Sequence, residues 1–316
     1  MATLHGHGTA MNQLIALLFG IANTLAIHFA KVMQRFGIQA VTGEDKSVKR
    51  RVIYWSGFML NNTSFLWIMI ANEFAPPSYA TSMFGLGIIA LMITSRIVLK
   101  EQVTKRHFAG AIILVAGTLV LGYDGIVNPS SSLSNIRLTS VWIFIAAFLV
   151  CAFTGLFFVL RGKSKWLVGV AFGLLAGGLG GLDPVLKGIG QQIGGVIGLL
   201  PQDPIGRLPF VLSFFFGSGA FFTVQWGFHR KADASVIAPF HAALYVLMPQ
   251  IVPLVAMPGA PLSAFKLVGM LLTTGGVFLA GAPRRAAVEL YPEPATAVNL
   301  PTDWPFGTEH DPAPKK

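Results

Sequence analysis

The chain has 316 residues, 53% of them hydrophobic and 11% charged, with 23 lysines and arginines against 13 acids for a formal net charge of +10. So little polar surface excludes a soluble domain of this length and implies an all-α polytopic membrane protein. The basic residues sit in short clusters between apolar runs, a pattern of membrane topology and anionic lipid contact, not of a nucleic-acid partner.

In chain order, residues 1–12 form a polar start whose His5 and His7, without further ligands, read as a solvated tail more readily than as a metal site. No basic region precedes the first apolar run, Leu14 to Phe29, which therefore reads as a membrane helix and not as a cleaved signal peptide. Runs near the roughly 20 residues a helix needs to cross a bilayer predict about nine transmembrane helices. They lie at about 12–35, 52–73, 77–99, 106–123, 138–161, 166–199, 208–228, 234–257 and 262–282. The sixth is the longest and contains Gly177, Gly178, Gly180, Gly181 and Pro184. It predicts either two half-helices broken near Asp183 and Pro184, or a span followed by a short helix at the outer surface. The lone cysteine, Cys151, falls in an apolar run, which leaves no intramolecular disulfide. The transmembrane domain is expected over 1–283, and the proline-rich stretch 284–316 reads as a mostly disordered cytoplasmic tail.

Basic residues orient the chain. Lys46, Lys49, Arg50 and Arg51 follow span one; Lys100, Lys105 and Arg106 span three; Arg161, Lys163 and Lys165 span five; Arg230 and Lys231 span seven; Arg284 and Arg285 span nine. The alternate connections hold only Arg137 and Arg207. By the positive-inside bias the N-terminus is outside and the C-terminus cytoplasmic, in a membrane of the bacterial inner (plasma) type.

An internal repeat is also visible. Gly110, Gly117 and Gly122 of span four have the spacing of Gly269, Gly276 and Gly281 of span nine. Lys31 late in span one is set against Lys187 in span six, and Asn61 and Asn62 in span two against Gln225 and His229 in span seven. The expected architecture is two inverted four-helix repeats, about 12–123 and 166–282, joined by a linking helix at about 138–161.

Asp183 is the only carboxylate this reading places in the hydrocarbon, and Lys187 lies four residues on, on the same helix face. A charge near a membrane helix centre costs roughly 2.5–3.5 kcal/mol, so the pair must face protein or a wet cavity. It either locks helices together or belongs to a solute pathway. Asn23, His28, Asn61, Asn62, Gln225 and His241 complete the candidate pathway residues. Asn61 and Asn62 match a glycosylation sequon but fall within a span, where they serve as helix-to-helix hydrogen bonds or as ligands. His28 and His241 are proton relays or satisfied interior histidines. Pro239, Pro249 and Pro253 either expose carbonyls of span eight or simply kink it.

Residues 54–122 resemble helices two to four of the NIPA-type magnesium transporters, a branch of the drug/metabolite transporter (DMT, EamA-like) superfamily. The marks are Ala75-Pro76 before span three, the Lys100-Glu101 pair at its end and a glycine-rich span four. Further on, GLGGLDPVLKGIG is similar to the family's sixth helix ending in a lysine, and Gln225, Lys231, Ala232, Ser235 and Pro239 fall where it has the like. The resemblance covers about residues 12 to 282 and implies a secondary transporter working by alternating access, moving a cation such as Mg2+ or a small solute.

A magnesium site built from these spans would lean on Asn23, Asn61, Asn62, Gln225 and backbone carbonyls, with Lys187 repelling the ion. An organic solute, or an anionic group meeting Lys187 and Lys31, fits at least as well. An aromatic-lined path could draw on Phe214, Phe215, Phe221, Phe222, Trp226 and Trp67. No phosphate loop, H-E-x-x-H motif or nucleophile elbow is present, so neither an enzyme nor a resident cofactor is expected. Two alternatives stand beside the cation carrier: an exporter of small organic metabolites or drugs, and a non-transporting membrane subunit that keeps the fold. The partners implied are membrane lipids, a small solute or ion, and a second copy or a membrane partner subunit.

Overall fold

The computed structural model describes residues 10–41, 43, 46–99, 104–128, 136–162, 164–197, 200–260 and 262–282. His5, His7, Lys100, Glu101, Lys163, Arg284, Arg285 and the tail lie outside the described residues. The helices are α1 (Ala10–Val41), α2 (Val48–Asn62), α3 (Ser64–Phe74), α4 (Pro77–Ser82), α5 (Phe84–Val98), α6 (Lys105–Val127), α7 (Leu138–Arg161), α8 (Lys165–Ile193), α9 (Pro204–His229), α10 (Ala234–Ala256) and α11 (Ala264–Ala280). A two-residue ladder of β1 (Val196–Ile197) and β2 (Leu200–Pro201) links α8 to α9.

Seven helical segments are long and apolar enough to cross a membrane, α4 and α5 counting together as Pro77–Val98, and α11 is a shorter apolar helix. With α2 and α3 taken as one crossing, the described residues hold nine segments at the nine predicted runs. The protein is an all-α polytopic membrane protein. Its helix starts follow from local chemistry: Ser47, Ser164, Asp203 and Ser263 each accept a backbone N–H of the first turn, and Thr104 and His107 form a reciprocal cap.

The expected break in the sixth span does not occur: α8 runs without interruption from Lys165 to Ile193, and a β ladder, not a surface helix, follows it. Pro184 removes only the helical bond to the Gly180 carbonyl. Apart from Asp183, every residue from Gly177 to Gln191 is buried, so neighbouring helices keep this stretch helical. The distortions fall elsewhere, at Thr63 and Met83, where the chain tightens into three-residue turns onto the Leu60 and Ala80 carbonyls.

Packing repeats itself. α1 packs against α2–α3 and α4–α5, while α8 packs against α9 and α10. The last helices of the two sets, α6 and α11, pack on each other through Gly110, Gly117, Gly269 and Gly276, four of the glycines matched in sequence, while Gly122 meets Ser82 and Gly281 meets Phe240. A β-carbon on Gly110 would lie 2.7 Å from the Gly276 carbonyl oxygen, and one on Gly276 2.8 Å from that of Gly110. Gly117 and Gly269 are related in the same reciprocal way, at 2.9 and 3.0 Å. The contact is therefore antiparallel and self-complementary, as at a two-fold axis. Gly20 against the Ala80 carbonyl (2.5 Å) and Gly177 against that of His241 (2.3 Å) repeat a second close approach once in each set.

Candidate functional site

A cavity of about 190 Å³ lies among α1, α2–α3, α8, α9 and α10. Lys31 and Ile27 reach it from α1, and Lys187 and Asp183 from α8. An offset of 156 residues carries Lys31 to Lys187 and Ile27 to Asp183, so each set presents the same two positions.

The two lysines differ in their partners. Lys187, 1% exposed, forms an ion pair and hydrogen bond with Asp183 one turn earlier, and its Nζ lies 4.5 Å from the Phe214 ring centre. Lys31, 6% exposed, donates to His241 Nδ1 at 3.1 Å and lies 5.4 Å from the Phe84 ring centre. At position 27 an isoleucine stands where the other set has its carboxylate.

Aromatic pairs form the wall between α2–α3 and α9. Phe58 meets Phe221 with ring centres 5.3 Å apart, and Phe65 meets Phe214 at 6.0 Å, both near edge-to-face. The offset of 156 carries Phe58 to Phe214 and Phe65 to Phe221, so these two contacts also exchange across a two-fold relation. Between them Asn61 and Asn62 stand opposite Gly217 and Ser218, and all four line the cavity. This corrects the expected match of Asn61 and Asn62 to Gln225 and His229. Asn62, Phe65, Phe214, Ser218 and Phe222 line the cavity and are also exposed, so it opens at this wall.

Two polar clusters close the ends. Gln34, one turn beyond Lys31, donates to the Gly57 carbonyl at 3.1 Å and accepts from Gln225 Nε2 at 2.7 Å, while Tyr54 donates to Gln225 at 3.3 Å. Gln191, one turn beyond Lys187, accepts from Asn72 at 3.2 Å and donates to Glu73 at 3.2 Å. Since α2–α3 and α9 run antiparallel, each paired to the helix before it, these bonds lie at opposite ends of the cavity. Each joins one set of helices to the other.

Of the eight residues singled out from sequence, Asp183, Lys187, Asn61, Asn62 and His241 line this cavity. Asn62 donates to the Phe58 carbonyl of its own helix at 2.8 Å, not across to another helix. Asn23 is buried and donates to the Tyr245 hydroxyl at 3.3 Å. His28 packs on Phe84, with its Nδ1 2.7 Å from the Thr24 carbonyl, and Gln225 belongs to an end cluster. Of the aromatic candidates, Phe214, Phe221 and Phe222 line the cavity, while Phe215 is 69% exposed, Trp226 meets Phe172 edge-to-face and Trp67 lies tilted against Phe19. The sequence reading passed over Gln34, Tyr245 and the pair Phe58 and Phe65; the shared seven-residue spacing of Phe58–Phe65 and Phe214–Phe221 was a usable signal. It also missed the buried acid Asp124, which accepts from Ser263 and lies 3.7 Å from Lys266 between α6 and α11.

Comparison with known proteins gives two partial relatives. Both are named "Probable 4-amino-4-deoxy-L-arabinose-phosphoundecaprenol flippase subunit ArnE". The protein of Hamiltonella defensa subsp. Acyrthosiphon pisum is 29% identical over 115 residues, 35% of this chain and 97% of the relative. That of Pseudomonas fluorescens is 25% identical over 96 residues, 29% of this chain and 83% of the relative. No family model matches, and no solved structure matches. Neither relative is a magnesium transporter, and both are small-molecule or lipid-linked flippase subunits by name.

Proposed function

We propose that the chain is a secondary transporter of the DMT superfamily in which two inverted four-helix units enclose one solute cavity. α7 links the units, and the solute is a small amphipathic organic molecule, free or lipid-linked, not Mg2+. The carrying observation is that the cavity is lined by equivalent positions of both units: Lys31 with Lys187, Phe58 and Phe65 with Phe214 and Phe221. A pathway on a pseudo-two-fold axis is what alternating access between inverted repeats requires. The similarity to flippase subunits supports an organic or lipid-linked cargo, and each relative corresponds in length to about one such unit.

The donor set argues against the magnesium reading. Mg2+ demands near-octahedral oxygen ligands, and the cavity offers it one carboxylate already paired with a lysine and a second lysine beside it. Among the described residues no group of three or more His, Cys, Asp or Glu could hold a metal.

The test is reconstitution in proteoliposomes with a panel of fluorescent amphiphiles and Mg2+. Amphiphile movement that stops in a cavity-filling Ser218→Trp variant is the expected result. Mg2+ flux sensitive to that substitution, with no amphiphile moved, would overturn the proposal.

A further inference from the structure

From the charges that the two units do and do not share, we infer that the cavity is a receptor for an anionic group, a phosphate ester or carboxylate, held between Lys31 and Lys187. Asp183 is the resident counter-ion that this group displaces. The inference rests on the transport reading above and names the chemistry its solute must carry.

The repeat places a lysine in the cavity from each unit, and both are buried. It does not duplicate the acid: the position 156 residues before Asp183 is Ile27, which also lines the cavity. Two buried lysines therefore share one carboxylate. Lys31 has around it a histidine nitrogen at 3.1 Å and the face of Phe84, neither of which carries charge to balance it. A buried charge without a partner is costly, and an incoming anion would remove that cost. Cations gain nothing here, because Asp183 is already occupied by Lys187.

The surroundings suit such a group. Ser64, Ser218 and Asn61 line the same space and carry groups that can donate hydrogen bonds to oxyanions. An apolar tail attached to the anion would meet Phe58, Phe65, Phe214 and Phe221 and pass between α2–α3 and α9, where Phe222 is 66% exposed. Asp183 then acts as a competitor built into the site: solute must take Lys187 from it on entry and return it on release. Such an exchange keeps the empty site from being a bare dication and the loaded site from holding its solute too tightly.

The test titrates the purified chain in neutral maltoside micelles by isothermal calorimetry with octyl phosphate, octanoate, octylammonium and inorganic phosphate. Octyl phosphate or octanoate should bind at least ~tenfold more tightly than octylammonium. Saturation by inorganic phosphate as well would identify a soluble anion, and binding only of the octyl compounds a headgroup with its chain. Lys31→Met should weaken anion binding ~tenfold or more, and Asp183→Asn should strengthen it several-fold. Should Asp183→Asn fail to fold, Ile27→Asp supplies the reciprocal variant, placing a second acid one turn from Lys31, and should weaken anion binding. Octylammonium binding that is lost in Ser218→Trp would overturn the anion assignment and leave the cavity as the transport site. Anion affinity unchanged by both Lys31→Met and Ile27→Asp would overturn the assignment as well. Binding of all probes unaffected by Ser218→Trp would overturn the transport reading itself.

Discussion

At the level of single residues, Asp183 and Lys187 invite a comparison of removing one charge with removing both. Lys187 is 1% exposed, so Lys187→Met leaves a carboxylate in the protein interior without its partner, and stability should fall by about 3–5 kcal/mol. Replacing both, as Asp183→Asn with Lys187→Met, removes the uncompensated charge, and thermal unfolding in detergent should return close to that of the unaltered chain. The double variant should nonetheless fail to move solute in vesicles, because Lys187 no longer alternates between Asp183 and cargo. Undiminished transport by a stable double variant would reduce the pair to a helix-packing device.

At the level of helices, the α6–α11 contact gives a sharp steric prediction. A β-carbon on Gly276 would lie 2.4 Å from the Leu114 backbone nitrogen and one on Gly117 2.5 Å from that of Thr273, where neither helix has a flexible group to yield. Gly276→Ala or Gly117→Ala should therefore cost about 1–3 kcal/mol, whereas Gly275→Ala, with open space around it, should change stability by less than about 0.5 kcal/mol. Thermal unfolding of the three variants checks this. The glutamine clusters make a kinetic prediction. With cysteines at Gln34 and Gln225 in a Cys151→Ser background, a short bifunctional thiol reagent should arrest transport and a reductant restore it. The same should hold for Asn72 and Gln191. A reagent is needed because glutamine side chains bridge more backbone separation than a disulfide spans. Transport that continues through either bridge would show that its cluster does not open.

For the whole molecule, the nine runs were legible because hydrocarbon demands about 20 apolar residues of any crossing helix. The glycine register was legible because close helix approach tolerates few other residues. Lys31 and Lys187 could likewise be matched by position. What escaped the sequence depended on neighbours: α8 stays helical through Pro184 because it is enclosed, while α2–α3 is interrupted at Thr63, whose hydroxyl bonds the Leu60 carbonyl and accepts from Trp67. The register of α2–α3 against α9 was misread because polar residues were aligned there, whereas the aromatic pairs carry the relation. Inverted units also require opposite orientations. Cysteines introduced singly near Lys49 and Arg230 should be reached only from the cytoplasm, and one near Arg137 only from outside. Labelling of Lys49 and Arg137 sites from the same side would refute the inverted arrangement.

The absence of a second acid at position 27 has a consequence for ancestry. Two identical copies of a four-helix protein associating as a homodimer must place every cavity residue twice, so a carboxylate beside one lysine entails a carboxylate beside the other. A chain that carries both units under one start codon is released from that rule, and each half can mutate alone. The single Asp183 is a state that only a fused gene, or a pair of separately encoded subunits, can inherit.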